Sequence, residues 1–334
     1  MKFGYCPVDQ AEGATLAHSL NINDLRLKKG CILGASDIVA LTAAGVDGVS
    51  IARADPGDVG ENEAAARIAA TIRGEGLHCA DPVHGRVNLI AGMDGLLQVD
   101  VPGVIALNQV DEAVTLATLP EYSHVRAGSL VATAKMIPYF IPAETVRRAC
   151  DTPPLMSLAP FRPLRWGLVL TRVRGMKESL IAKAEDATRQ RVERLGGQLV
   201  QVQVCDHHEE DLKTALSEMQ ATHAPDVFLI LTGSATSDRA DVAPAGLCQA
   251  GGIVTRFGMP VDPGNLLFLG ELLGKPVIGL PGCARALALN GADWVLERVA
   301  AGLELGDADF AAMGAGGLLK DVPERGAPRR TQAK

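Results

Sequence analysis

Apolar and polar positions are interspersed along most of this chain, but at Val227, Phe228, Leu229, Ile230 and Leu231 five apolar residues stand together. A run this short and this rich in β-formers predicts a strand buried on both faces of a parallel sheet. It ends at residues 232–237, a loop of small, glycine- and hydroxyl-bearing residues. Asp238, Arg239 and Asp241 follow, and Pro244 marks the opening of a helix.

The same order recurs on either side. Gly167, Leu168, Val169, Leu170 and Thr171 predict a buried strand leading into a basic loop with Arg172, Arg174, Gly175 and Lys177. A helix is expected from Glu178 to about Leu195, stopped by Gly196 and Gly197. Residues 198–204 alternate as a second strand, and Asp206, His207, His208, Glu209 and Glu210 begin a helix whose acids suit its dipole. Residues 253–257 predict another strand. Pro263, Gly264 and Asn265 make a turn before the apolar residues 266–273, which suit a helix or a strand-like lining. Residues 275–280 form a strand entering the Pro281, Gly282, Cys283 turn, with a long helix expected over residues 286–303. Strands alternating with helices predict a three-layer α/β/α fold with a mostly parallel sheet over residues 166–305.

Residues 1–150 follow another pattern, of short alternating runs, glycine turns and short helices. Ser36 caps a helix that Gly45 stops, residues 46–52 predict a strand, and residues 63–75 predict an alanine-rich amphipathic helix. Residues 125–139 predict a β-turn-β pair bent at Gly128, and Pro142 starts a short helix. The class expected is mixed α+β, rich in strands, with room for two subdomains. Lys135 is open to two readings, a surface lysine laid along apolar side chains or a contact for an anion. Pro153, Pro154, Pro160 and Pro163 predict a linker over residues 151–165, because proline sustains neither a helix nor a central strand. The layout expected is therefore 1–150, linker 151–165, α/β domain 166–305 and tail 306–334, with glycine-rich residues 314–319 and the stretch from Pro323 flexible.

Composition narrows the function. A net charge of −7 over 334 residues argues against a general nucleic-acid binder, which needs a basic face, and 4% aromatic residues leave few stacking platforms. Seven scattered cysteines with no CxxC pair fit neither a disulfide framework nor a zinc site, and most are expected as buried small apolar residues. No apolar run is long enough to span a bilayer, so no membrane partner and a reducing cytoplasm are expected. His78, Asp81 and His84 lack recognised zinc spacing. His207 and His208 are neighbours that would point apart on a helix, so neither set is read as a metal site.

Ligands in open α/β sheets sit outside the carboxyl ends of the strands. There, small residues such as Gly233, Ser234, Ala235 and Thr236 let amides approach an anion, and Arg172, Arg174 and Lys177 supply charge for a phosphate or another oxyanion. Asp238 and Asp241 in the same loop would hold a divalent cation such as Mg2+, or simply shape a strand-to-helix turn with Asp238 as its cap. A pocket would be completed by Pro281, Gly282 and Cys283, with the turn at Pro263 and Gly264 closing over it.

The order of TGSATSDRADV, MPVDPGNLL and IGLPGCA resembles the molybdopterin-binding domain of molybdenum-cofactor biosynthesis proteins of the MoeA and MoaB/Mog type, over residues 165–303. Segments within residues 27–53 are similar to MoeA-type chains as well. The resemblance implies molybdopterin as ligand or substrate. It also implies a transferase step, adenylylation with ATP releasing AMP or pyrophosphate, or molybdate insertion, with Asp238 and Asp241 as catalytic and metal-binding residues. Thr171, Arg172, Arg174, Gly233, Ser234, Ala235, Thr236, Pro263, Gly264, Pro281, Gly282 and Cys283 would bind substrate. A homo-oligomer is expected, and since related chains often precede a nucleotidyltransferase domain, so is a separate partner of that kind. Departures matter: Thr232 stands at the usual first glycine, Ala235 at a later one, Arg172 and Arg174 where acids are usual, and Cys283 at the usual asparagine. Binding tolerates such changes better than catalysis, which keeps a non-catalytic carrier as the alternative.

Overall fold

The structure is a computed structural model that describes residues 1–22 and 25–319; the tail from Pro323 lies outside the described residues. Contacts divide the chain into two compact units, Met1–Pro160 and Phe161–Lys334.

In the second unit the five-residue apolar run is a strand, and all five of its residues are buried. We number the elements of this unit alone: β1 Arg165–Arg172, α1 Glu178–Arg194, β2 Gln198–Asp206, α2 Glu209–Thr222, β3 Val227–Leu231, α3 Val242–Gln249, β4 Ile253–Phe257, β5 Phe268–Leu272, β6 Lys275–Leu280, α4 Gly291–Ala300 and α5 Asp307–Ala312. They build one six-stranded sheet in the order β2-β1-β3-β6-β5-β4. The first four are mutually parallel, while β5 runs antiparallel to β6 and to β4. Alternate residues of each strand feed opposite cores. Trp166, Leu168 and Leu170 meet Val192, Val295, Leu296 and Phe310 on one face. Val169, Phe228 and Ile230 meet Leu212, Leu216, Met219 and Leu247 on the other. This is the three-layer arrangement that the pattern implied.

The differences from the sequence expectations have local causes. The long helix expected over 286–303 begins only at Gly291, because Asn290 caps it: its side chain accepts from Ala292 N and its own amide donates to Asp293. A short 3-10 turn, Gly282–Arg285, precedes it. Helix α3 opens at Val242 rather than at Pro244, with Asp241 and not Asp238 at its N-cap, and α2 starts at Glu209, leaving His207 and His208 outside it. Residues 314–319 are held, not flexible: Leu319 N donates to Asp262 O at 2.8 Å, and Phe310 just before them is fully buried.

In the first unit, two buried clusters form. One joins Val8, Leu16, Leu33, Leu41, Val49 and Ile51. The other packs the helix Glu61–Ile72 against the sheet that includes Arg86–Ala91 and Leu130–Met136. Part of the expected linker belongs here. Met156–Pro160 is a strand paired antiparallel with Gly95–Val99, at a sheet edge where its closing proline is tolerated. The β-turn-β pair expected at Gly128 is absent, since His124–Val125 pairs with Gly95–Val99 while Leu130–Met136 joins a different sheet. Lys135 donates to the His84 carbonyl and lies 3.7 Å from Glu61, a clamp on the 83–86 turn. No cysteine is fully buried; Cys79, Cys248 and Cys283 are exposed. Among the described residues no helix is long and apolar enough to cross a membrane.

Packing across β5 and β6 offers a direct check on the sheet. Gly279 lies opposite Phe268, and a Cβ on it would come within 1.9 Å of the Phe268 ring. Gly279→Ala should destabilise the protein by about 1–3 kcal/mol through overpacking, read as a lower urea midpoint. Phe268→Leu in the same chain should recover part of that loss; a midpoint unmoved by Gly279→Ala would place these strands in the wrong register.

Candidate ligand-binding site

The registers that place Leu170 beside Leu231 and Leu231 beside Leu280 send the loops that follow β1, β3 and β6 out of the sheet side by side. Two hydrogen bonds tie them. The Gly233 amide donates to Thr171 Oγ1 at 2.9 Å, and the Arg285 guanidinium donates to the Thr232 carbonyl. Gly233 is required by its closeness to β1: a Cβ there would lie 2.9 Å from both the Thr171 carbonyl oxygen and the Val173 nitrogen.

Several groups expected to face a ligand are engaged inward instead. Thr171 is buried, and its hydroxyl sits 2.7 Å from His207 Nδ1. With the imidazole neutral and its proton on Nε2, Thr171 donates to Nδ1 while accepting from Gly233. Thr236 is buried with its hydroxyl 3.3 Å from that of Thr232. The carboxylate of Asp241 accepts from Val242 N at 2.8 Å and from Ser237 N at 3.0 Å, and Asp238 accepts from Ala240 N at 2.8 Å. Both acids therefore shape the loop. Among the described residues no group of three or more His, Cys, Asp or Glu side chains is gathered to hold an ion.

Other groups face solvent. Ser234, Ala235, Gly282 and Cys283 are exposed, while Pro281 behind them is buried. Arg172 contacts Glu178 at 3.2 Å and Asp206 at 3.5 Å, so much of its charge is answered within the protein. Arg174 is exposed and has no ion-pair partner among the described residues. The two arginines, with Asp206, His207 and His208, line a cleft of about 430 Å3 between the tips of β1 and β2. A hollow of about 440 Å3 lies at the opposite sheet edge, around Arg162, Glu271, Pro276 and Glu304. Volume does not separate the two; the first has in Arg174 an unanswered cation for an anionic ligand. Pro263 and Gly264 do not form a simple lid. The Pro263 carbonyl accepts from Gly291 N at 2.8 Å, and a Cβ on Gly264 would meet that same nitrogen at 2.7 Å, so the turn is seated on the start of α4.

Two positions that tie these loops are not visible in the sequence pattern. His207 reads there only as half of a double histidine, whereas its place just past the end of β2 is the signal for a strand-tip residue. Arg285 is half-buried across the Thr232 carbonyl, and burial lowers its pKa. Burial likewise holds His207 below the ordinary imidazole value, with His208 acting in the same direction and Asp241 opposing it.

The Thr171 network has two measurable consequences. Thr171→Val should cost about 1–3 kcal/mol, the range for leaving a buried donor without its acceptor, measured by denaturant melts; no change would mean the Gly233 amide finds water instead. For His207, a lowered folded pKa means that the unfolded chain binds the proton more readily. The stability it carries is complete above the unfolded value of 6.5 and declines as pH falls from there toward the folded value. NMR titration of the ring should give a midpoint below 6.5, and His207→Gln should flatten that part of the stability profile.

Comparison with known proteins gives weak similarities. A family model described as a domain of unknown function, DUF8806, matches residues 5–53. No curated protein matches. Among solved structures, the chain is similar to a molybdopterin biosynthesis MoeA protein from Pyrococcus horikosii, at 14% identity and TM-score 0.31, covering 90% of this chain and 76% of that one. It is similar to a molybdenum cofactor biosynthesis protein B at 15% identity and TM-score 0.30, over 41% of this chain and 92% of that one. The molybdopterin biosynthesis enzyme MoaB from Thermus thermophilus matches at 10% identity and TM-score 0.28, over 47% and 99%. At such scores the superpositions assign no chemistry to the cleft, which stands on its own residues.

Proposed function

We propose that this chain is a molybdenum-cofactor biosynthesis protein that binds molybdopterin, or its adenylylated form, at the tips of β1, β3 and β6. The observation that carries the reading is the set of three adjacent loops tied by the Gly233-to-Thr171 and Arg285-to-Thr232 bonds. The terminal phosphate would be held by Arg174, with the Ser234 hydroxyl and the amides of residues 234–235 and of Gly282 as further donors. Arg172 would lend a smaller share, since Glu178 and Asp206 already engage it. Thr171, Thr236 and Gly233 would act from behind, by fixing the backbone that carries those donors.

Carriage without turnover is favoured over metal-dependent chemistry by one feature. As placed, Asp241 and Asp238 already accept from loop amides, so the pair does not offer a cation two open carboxylates. Nothing in this binding mode runs through Mg2+, ATP or molybdate. The protein would then hold the pterin for transfer, with a nucleotidyltransferase or a molybdoenzyme as the receiving partner.

Isothermal titration with molybdopterin and with its adenylylated form should give saturable binding. Arg174→Ala should weaken it by about tenfold or more, the range for losing a charge-assisted hydrogen bond, and the affinity should fall with added salt. An affinity unchanged in Arg174→Ala would take the phosphate away from this cleft. Incubation with Mg-ATP and molybdate separates the two roles: release of AMP or pyrophosphate makes it an enzyme, and none makes it a carrier. Asp241→Asn retains an N-cap oxygen, so lost turnover in that variant would report on chemistry rather than folding.

A further inference from the structure

We infer that Arg191, far along α1 from the cleft, is the positioning residue for residues 282–290, the strap that carries Gly282, Cys283 and Arg285 to the strand tips. The inference rests on the proposed function only for what the strap presents; the strap's dependence on Arg191 stands on geometry alone. Arg191 is 4% exposed. Its Nε donates to Asp293 Oδ1 at 2.6 Å. Nη1 donates to the Ala284 carbonyl at 2.7 Å and lies 3.5 Å from that of Ala187. Nη2 reaches the carbonyls of Ala286 at 2.6 Å and Ala288 at 3.2 Å. All five guanidinium N–H groups thus have acceptors, which is the whole donor capacity of the side chain.

Three of those acceptors belong to the strap, at alternate residues 284, 286 and 288. Residues 286–290 lie between the 3-10 turn Gly282–Arg285 and α4, outside any helix or strand. No sheet partner is therefore present to hold these carbonyls, and Arg191 takes the place that a neighbouring strand would fill. Side chains along the strap bury little: Leu287 and Leu289 are 38% and 39% exposed. An apolar, exposed segment of this kind would not keep its path by its own burial. At its far end the second oxygen of Asp293 accepts from Asn290 N at 2.8 Å, so the same ion pair also fixes the cap of α4. At its near end Arg285 crosses to the Thr232 carbonyl on the loop after β3. Arg191 therefore sets where Arg285 and the Gly282 amide stand relative to the Gly233 loop.

Lysine cannot replace this fork, because a single ammonium carries three donors on one atom and cannot span five acceptors. Hydrogen exchange followed by mass spectrometry on the full chain tests the inference, using Arg191→Lys and, as a milder variant that leaves the arginine in place, Asp293→Asn. Amides of residues 284–293 should exchange about tenfold faster or more in Arg191→Lys, as expected for local opening when several charge-assisted bonds are lost. Asp293→Asn should shift the same peptides less. Peptides covering Arg165–Arg172 and Val227–Leu231 should exchange as in the parent protein. Titration with molybdopterin should show weaker binding in both variants, in the same order. Uniform acceleration across all peptides in both variants would make Arg191 a general stabilising residue and overturn the inference. Unchanged strap exchange would overturn it too, as would a mobile strap with undiminished affinity. If the parent protein itself binds no molybdopterin, the proposed function fails while the exchange data still decide the role of Arg191.

Discussion

A strand buried on both faces can meet solvent only at its ends. In this protein β3 is such a strand, and β1 and β6 flank it in parallel. The constraint explains why three glycine-bearing loops emerge together: parallel strands must return through crossovers, so their carboxyl ends share one edge. It also explains why the strongest side-chain chemistry of the second unit gathers there. Along their middles these strands belong to the two cores, where Trp166, Phe228 and Leu229 have no exposed surface.

The loops at that edge must order themselves without a sheet, and they do so by turning polar groups inward. Thr171, Thr232, Thr236 and Asp241 each satisfy a backbone or hydroxyl group of a neighbouring loop residue. Every such bond removes a donor or acceptor from a prospective ligand but fixes the position of the groups that remain. Preorganisation of that kind is a better account of this edge than a crowd of ligand contacts would be. The electrostatics divide the same way. Arg172 is balanced by Glu178 and Asp206, which leaves Arg174 as the arginine of that loop with charge to offer.

Much of this is legible in the sequence, and the reason lies in periodicity. Five apolar residues in a row at 227–231 fit nothing but a buried element, and the glycine and hydroxyl residues after them mark its exit. Local chemistry is less legible where a residue's partner depends on the closed loop. Asp238 and Asp241 read as cation ligands because their donors, the amides of Ala240, Ser237 and Val242, become visible only once the loop has closed. The strand Met156–Pro160 is hidden by its prolines, since an edge position that tolerates Pro160 is a property of the sheet and not of the segment. The strap at 286–290 reads as helix because alanine and leucine, at Ala286, Leu287, Ala288 and Leu289, are good helix formers. Tertiary bonds from Arg191 and the Asn290 cap override that propensity.

That override carries the general point about this fold. A helix running without interruption from residue 286 would engage the carbonyls of Ala286 and Ala288 in its own ladder and leave the buried Arg191 guanidinium with too few acceptors, at a cost far above the few tenths of a kcal/mol per residue that helix propensity supplies. A buried arginine among carbonyls therefore enforces an irregular segment here. The path of residues 284–288 and, through Asp293, the support of the Asn290 cap of α4 depend on one side chain finding its five acceptors. The shape of the candidate site after β6 thus depends on a residue of α1 that bonds the strap and no strand tip.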